Sequence, residues 1–402
     1  MTQKSLGGFF ENFLKKEPIF LNKTALQGSY TPEDIPHRET QIEGIAGILA
    51  PALRLEKPSN VFIYGKVGTG KSVSVTYVIN KMIQTAEKNK IPIKTFYLNC
   101  KLKRVADTEY RLIAQLAREF NIEVPATGLP TEEIYKRFIH SLEKEKLLLI
   151  LVLDEIDQLV FKIGDSFLYT LTRLNSELKN SQISFVGISN DLVFVDNLDP
   201  RIKSSLGEEE LVFPPYNAIQ LQSILRNRSE VAFREGCLEE GVIEKCSAYA
   251  AREHGDARRA LELLRVSAEI AERKSRNIIK ISDVDEAEEK IERDRVVDII
   301  NTQPKQFKIA LFSIFNICSG EKEKIFTGDV FEVYKDVCYS CGLKPLTQRR
   351  LSDIIAELDM LGIINAKVIS KGRYGRTREI SLAIPKSTTP KIKELLKEGL
   401  GL

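Results

Sequence analysis

The chain has 402 residues, 43% of them hydrophobic and 29% charged, which is the balance of a folded globular protein rather than a disordered or membrane-embedded one. That length exceeds one ordinary core and predicts two or three domains. No run of about 18 apolar residues is present to span a bilayer, and the stretch MTQKSLGGFFENFLKKEPIF carries charges where a secretory leader needs an apolar core, so a cytoplasmic protein with no membrane partner is expected.

Net charge is only +3, so any affinity for nucleic acid has to reside in local basic patches. Of the six cysteines, Cys338 and Cys341 alone form a CxxC. A structural zinc site needs four ligands, and His37, His140 and His254 stand at no ligand spacing, so the pair is read as small core residues on a helix with reduced thiols.

From about residue 58 to 200, the apolar runs NVFIYG (60 to 65), KTFYLNC (94 to 100), LLLILVLD (147 to 154) and ISFVGISN (183 to 190) alternate with helical stretches. Runs this continuous read as strands covered on both faces, hence a parallel α/β sheet. GKVGTGKS, residues 65 to 72, leaves the first strand and opens a helix, satisfying both the spacing and the context of a phosphate-binding loop. Gly65, Gly68 and Gly70 with Thr69 between them let backbone N–H groups approach phosphates, Lys71 reaches the β and γ oxygens, and Ser72 can hold Mg²⁺. Asp154 ends a buried strand, where a further Mg²⁺ ligand belongs, and Glu155 follows it in position to polarise an attacking water. Asp157 has no such role from spacing alone. Asn190, at the end of the next strand, can orient water against a γ-phosphate, and Arg201 in LDPRIKSSL and Arg258 in HGDARRALELL supply cations further on.

Residues 206 to 297 show helical spacing and no convincing strand, which predicts a small all-α domain. After Pro304 the chain reads helix, helix, helix, hairpin, the order of a winged helix. Thr347 is the expected N-cap of its third helix, with Leu351, Ile354, Ile355 and Leu358 on the core face and Gln348, Arg349 and Arg350 in the first turn, where such a helix meets DNA. SKGRYGRTRE places Lys371, Arg373, Tyr374 and Arg376 at the turn of the hairpin, the wing tip. The predicted fold is thus an α/β P-loop domain with a parallel sheet over residues 1–205, a helical lid over 206–299, a winged-helix DNA-binding domain over 300–390 and a tail over 391–402.

A P-loop domain, a helical lid and arginines in this order resemble the AAA+ ATPases, in which the positions of Asn190, Arg201 and Arg258 are sensor 1, the arginine finger and sensor 2. IPHRETQIEGIAGILAP, FIYGKVGTGKS, VLDEID, DPRIKSSL, EHGDARRALELLRVSAEIAER, TQRRLSDIIAELDMLGI and KGRYGRTREI together resemble, in order from about residue 17 to 385, the archaeal replication initiators related to the eukaryotic origin recognition complex and its helicase loader. The resemblance implies ATP or ADP with Mg²⁺ as cofactors and slow ATP hydrolysis used as a switch. It implies double-stranded origin DNA and the MCM replicative helicase as partners, with paralogous initiators beside it and a nucleoid-associated location. It also implies an adenine site near Pro36, His37 and Arg38, and a DNA-touching insertion at residues 101 to 120 that opens with Lys101, Lys103, Arg104 and Arg111. Two other classes share parts of the pattern. One is the branch-migration DNA motor, which also joins an AAA+ core and lid to a winged helix; the other is a winged-helix transcription regulator latched by ATP.

Overall fold

A strand clothed on both faces needs no polar alternation, and the continuous apolar runs become such strands in the computed structural model. It describes residues 10–11, 17–28, 30–101, 108–125, 129–318, 325–370, 376–384 and 389–402. The chain divides into two compact units, Met1–Ile281 and Ser282–Leu402.

In the first unit β1 (Asn60–Tyr64), β2 (Ile93–Asn99), β3 (Leu148–Asp154), β4 (Gln182–Ser189) and β5 (Glu208–Val212) form one parallel sheet in the order β2-β3-β4-β1-β5. Helix α1 (Glu39–Leu49) precedes β1, and α2 (Lys71–Lys88), α3 (Glu109–Glu119), α4 (Thr131–Glu145), α5 (Ile156–Ile163), α6 (Ser166–Glu177) and α7 (Pro200–Leu206) connect the strands. One sheet face packs Phe62, Leu151 and Phe185 against α3 to α6, and the other packs Val61, Ile150 and Val186 against α1 and α2. Burial of each such side chain contributes about 1.5–3 kcal/mol. The register aligns Tyr64 with Ser189 and Asn99 with Asp154, so the carboxyl ends of these strands reach one level of the sheet.

β5 corrects the expectation of no strand after residue 206, and it carries the sheet past the boundary expected at 205. Its sequence, EEELV, hides the strand because three acids on a short sheet edge look like solvated charge. Charge at such a position blocks pairing with a second sheet.

Three helices follow, α8 (Ala218–Ala232), α9 (Val242–Arg252) and α10 (Ala257–Arg273). A capping box between Asn217 and Gln220 starts α8, and Asp256 caps α10. The N-terminal segment, expected to extend the nucleotide domain, is clasped by these helices. Leu21 and Asn22 N–H donate to Ala232 O at 2.8 and 3.1 Å, Arg234 N–H donates to Ile19 O at 3.1 Å, and Lys23 pairs with Glu269 at 2.8 Å.

The second unit holds α11 (Ile281–Thr302), α12 (Lys305–Cys318), α13 (Thr327–Ser340), α14 (Gln348–Met360) and α15 (Thr389–Leu400). With them is an antiparallel sheet of β6 (Ile325–Phe326), β8 (Arg376–Leu382) and β7 (Ile364–Ser370), in the order β6-β8-β7. The expected boundary at 299/300 falls inside α11. Thr347 caps α14 as expected, and Leu351, Ile354, Ile355 and Leu358 are buried with Phe315, Tyr334 and Cys338. Residues 391–402 are no tail, because α15 covers most of them and buries Ile392 and Leu396. Ile392, Leu395, Leu396 and Leu400 stand at helical spacing, but set among lysines and glutamates over three turns they read as a charged tail. Among the described residues no helix is long and apolar enough to cross a membrane.

Candidate nucleotide-binding site

Because β4 lies between β1 and β3, the loop after β1, the acids after β3 and the polar end of β4 converge at one edge of the sheet. They wall a cavity of about 1020 Å³ lined by Pro36, Gly68, Thr69, Gly70, Lys71, Ser72, Lys101, Asp154, Glu155, Asn190 and Arg258. Gly68 has φ +73°, and a Cβ there would lie 1.7 Å from Asp256 Oδ1, so this turn admits no side chain. The bare backbone makes the loop a cradle for an anion.

Lys71 is 5% exposed, and its ammonium donates to Gly65 O at 2.6 Å, Lys66 O at 2.8 Å and Asn190 Oδ1 at 3.0 Å. Burial pushes it down to about 8 from the usual 10.5, against the pull of Asp154 and aided by the charge of Arg258. An anion beside Lys71 would restore its proton, so nucleotide binding takes up a proton above that pH. ADP affinity, measured by calorimetry across a pH series, is expected to hold below pH 8 and then fall by about one log unit per pH unit. A flat profile would contradict a phosphate contact.

Ser72 Oγ donates to Asp154 Oδ2 at 3.0 Å, and the Tyr97 hydroxyl donates to the same oxygen. Two hydroxyls converging on a buried carboxylate make a hard, oxygen-rich donor set that fits Mg²⁺. Burial, then the charge of Asp154, raises the Tyr97 phenol, which therefore stays protonated as a donor. Glu155 sits next to Asp154 with φ +56°, the left-handed region, at the start of α5, and Lys101 Nζ lies 3.8 Å from its carboxylate. Asp157 accepts from Ser189 Oγ at 3.1 Å and Asn190 N–H at 3.4 Å, fixing the turn that presents Asn190 to Lys71.

The start of α10 closes one side of the cavity. Ala257 N–H donates to Gly68 O at 3.1 Å, and Arg258 lines the wall, whereas Arg259 pairs with Glu253 at 3.2 Å outside it. Pro36 belongs to the lining; His37 and Arg38 do not, and Gly65 contributes through its carbonyl to Lys71. Arg201 stands apart from the cavity, 85% exposed and paired with Asp199 at 2.9 Å. The wall also includes Tyr30, Tyr216 and Arg228, which sequence reasoning missed because they sit in segments with no phosphate-loop spacing.

On α14, Gln348, Arg349 and Arg350 are exposed. Arg350 pairs with Asp353 at 3.5 Å. Arg349 has no hydrogen bond or ion pair among the described residues. Lys103, Arg104, Lys371, Arg373 and Tyr374, together with the side chain of Arg376, lie outside the described residues.

Comparison with known proteins matches residues 54–193 to the family described as AAA domain, 222–289 to the Cdc6 AAA+ ATPase-type lid domain and 298–391 to the CDC6 C terminal winged helix domain. The chain is 51% identical over 399 residues to an ORC1-type DNA replication protein of Pyrococcus furiosus, covering 98% of this chain and 94% of that one. It belongs to the ORC1-type DNA replication proteins. An ORC1-type DNA replication protein 1 of Methanosarcina mazei is 49% identical over 391 residues, covering 97% of this chain and 94% of the relative. Among solved structures, the Aeropyrum pernix ORC1 protein in complex with DNA matches with a TM-score of 0.82 at 44% identity, over 95% of this chain and 98% of that one. Membership in the ORC1-type initiators, with an AAA+ core, a Cdc6 lid and a winged helix, separates the chain from the branch-migration motors that share its layout.

Proposed function

We propose that this ORC1-type chain is an ATP-regulated origin-binding protein that marks replication origins and helps recruit or load the MCM helicase. The observation that carries the reading is the convergence of Lys71, Ser72, Asp154, Glu155, Asn190 and Arg258 on one cavity, in a chain that also exposes Arg349 at the start of a winged-helix recognition helix.

In this reading Lys71 and the backbone of residues 68 to 72 hold the phosphates of ATP. Ser72 and Asp154 would hold Mg²⁺, which supplies charge neutralisation at the phosphate oxygens when bound. Glu155 takes a proton from the water that attacks the γ-phosphorus, and Asn190 orients that water. Arg258, carried by the helical region after the sheet, meets the phosphates from the far side and ties nucleotide state to lid position. Pro36 packs near the adenine.

Arg201 acts in trans on the nucleotide of an adjacent copy or a paralogous initiator, a role supported by its exposure and its distance from the cavity of its own chain. Hydrolysis is then a slow reset, and DNA binding is the output. Gln348, Arg349 and Arg350 meet double-stranded origin DNA through the major groove. Lys371, Arg373, Tyr374 and Arg376 meet it through the wing, and Lys101, Lys103 and Arg104 through the insertion. DNA binding is supported by the DNA complex of the Aeropyrum pernix relative. A cytoplasmic, nucleoid-associated location follows from that partner.

The test is footprinting of the purified protein across the origins of its own chromosome, with and without ATP. Protection of repeated elements at the origin, altered by ATP, is expected. Protection no stronger there than on random duplex would sink the reading.

A further inference from the structure

Arg38 is a buried cation placed under the phosphate loop. Its side chain is 2% exposed. Nε donates to Thr69 O at 2.9 Å, Nη2 to Pro214 O at 2.6 Å and Nη1 to His37 O at 3.2 Å. The guanidinium carbon lies 3.8 Å from the ring centre of Tyr216 and 5.5 Å from that of Phe213. Among the described residues no carboxylate forms an ion pair with it. Burying an arginine with no counter-ion is costly, and carbonyl oxygens and aromatic faces offset that cost here.

The carbonyl of Thr69 is the informative partner. The first helical bond of α2 runs from Ser74 N–H to Gly70 O at 3.0 Å, and the carbonyl one residue earlier goes to Arg38 instead. Across a trans peptide the C=O and the following N–H point in opposite directions. Holding Thr69 O toward Arg38 therefore turns the N–H of Gly70 the other way. Gly70 adopts φ +90°, a conformation that keeps this peptide orientation and that side chains rarely allow. Thr69, Gly70, Lys71 and Ser72 all line the cavity, while Arg38 does not.

We infer that Arg38 is a positioning residue for phosphate recognition: it fixes the Thr69–Gly70 peptide so that the loop presents its N–H groups to phosphate oxygens before a nucleotide arrives. It touches neither base nor phosphate. The same guanidinium holds Pro214 O and stacks on Tyr216, in the segment that leads from β5 to α8, so the loop is braced against a second backbone stretch. The inference rests on the assignment of the cavity to a nucleotide.

Calorimetric titration of the full chain with ADP and with adenosine separates this role from others. Arg38→Ala is expected to lower ADP affinity about 10–100-fold with adenosine affinity unchanged, because only the phosphates use the loop. Arg38→Lys, which keeps the charge but can serve fewer carbonyls, is expected to fall between wild type and Arg38→Ala. Millimolar guanidinium ion should restore ADP binding to Arg38→Ala and leave Lys71→Ala unrescued. Equal losses for ADP and adenosine would overturn the inference in favour of a base contact, and so would unchanged ADP affinity in a cooperatively melting Arg38→Ala. If Arg38→Ala does not fold, Arg38→Lys decides: an ADP-to-adenosine affinity ratio equal to that of wild type overturns the inference. Wild type binding ADP no better than Lys71→Ala would instead remove the nucleotide assignment itself.

Discussion

Lys71→Ala is expected to lower ATP affinity by about 100-fold or more, while Glu155→Gln keeps ATP bound and cuts hydrolysis by about 100- to 10,000-fold. The two variants differ in what they remove. Lys71 contributes a buried ammonium whose three N–H donors go to Gly65 O, Lys66 O and Asn190 Oδ1, so a phosphate oxygen takes the place of one of these acceptors. Its loss takes away a charge-assisted contact in both ground state and transition state. Glu155 lies beside Asp154 but makes no hydrogen bond to Lys71 or Ser72 among the described residues. Its amide replacement keeps the shape and loses the base. The measurements are equilibrium binding of a fluorescent ATP analogue and single-turnover hydrolysis with each variant. Equal ATP affinity in wild type and Lys71→Ala would remove the phosphate loop from the site, and unimpaired turnover in Glu155→Gln would return the search for the base to the other acids near β3.

The parts of the site that could be read in the sequence are those whose chemistry is local. GKVGTGKS needs glycine, lysine and serine at fixed spacing within a short loop, and the structure sets residues 67 to 72 on one cavity wall, with the carbonyls of Gly65 and Lys66 holding Lys71. Asp154 could be read because a charge at the end of seven buried strand residues has few other reasons to be there. Asp157, by contrast, works on β4, 32 residues away, and no spacing rule links the two. Tyr97 reaches Asp154 only because β2 and β3 pair in a register that sets Asn99 opposite Asp154. Arg38 looked like part of an adenine contact by resemblance, and its bond to Thr69 O spans 31 residues that sequence periodicity does not connect.

The fold shows the same division. Long apolar strands and the recognition helix with its Thr347 cap declared themselves, because their signals are their own residues. β5 did not, since an edge strand of glutamates is stabilised by its partner β1 rather than by its composition. Helix α15 was equally hidden, because the surface that buries Ile392 and Leu396 is formed by residues far earlier in the chain.

Arg349→Ala is expected to reduce the ratio of origin to random-sequence affinity by about 5- to 150-fold, corresponding to about 1–3 kcal/mol for a base contact in the major groove. Arg349 is exposed in the first turn of α14 and, among the described residues, has no ion pair to give up. Arg350 pairs with Asp353 at 3.5 Å, an exposed ion pair worth about 0–1 kcal/mol, so its DNA contact would be discounted by that pair. Arg350→Ala should therefore cost less specificity than Arg349→Ala. The wing should fail in another way. Arg373 flanks the glycines and the tyrosine of KGRYGR, a composition suited to neutralising phosphates rather than reading bases. Arg373→Ala is expected to weaken specific and random duplex alike and to flatten the log–log salt dependence by about 0.9 for each lost phosphate contact. Tyr374→Ala is the control for a hairpin brace, expected to leave that slope unchanged. Binding of each variant to origin and scrambled duplexes over a salt series makes the distinction. If Arg349→Ala lowered both affinities equally while Arg373→Ala narrowed their ratio, the recognition helix and the wing would have to exchange roles. If the Arg373→Ala, Arg376→Ala double mutant changed neither affinity nor slope, the wing would be a solvated loop and α14 alone would carry the contact.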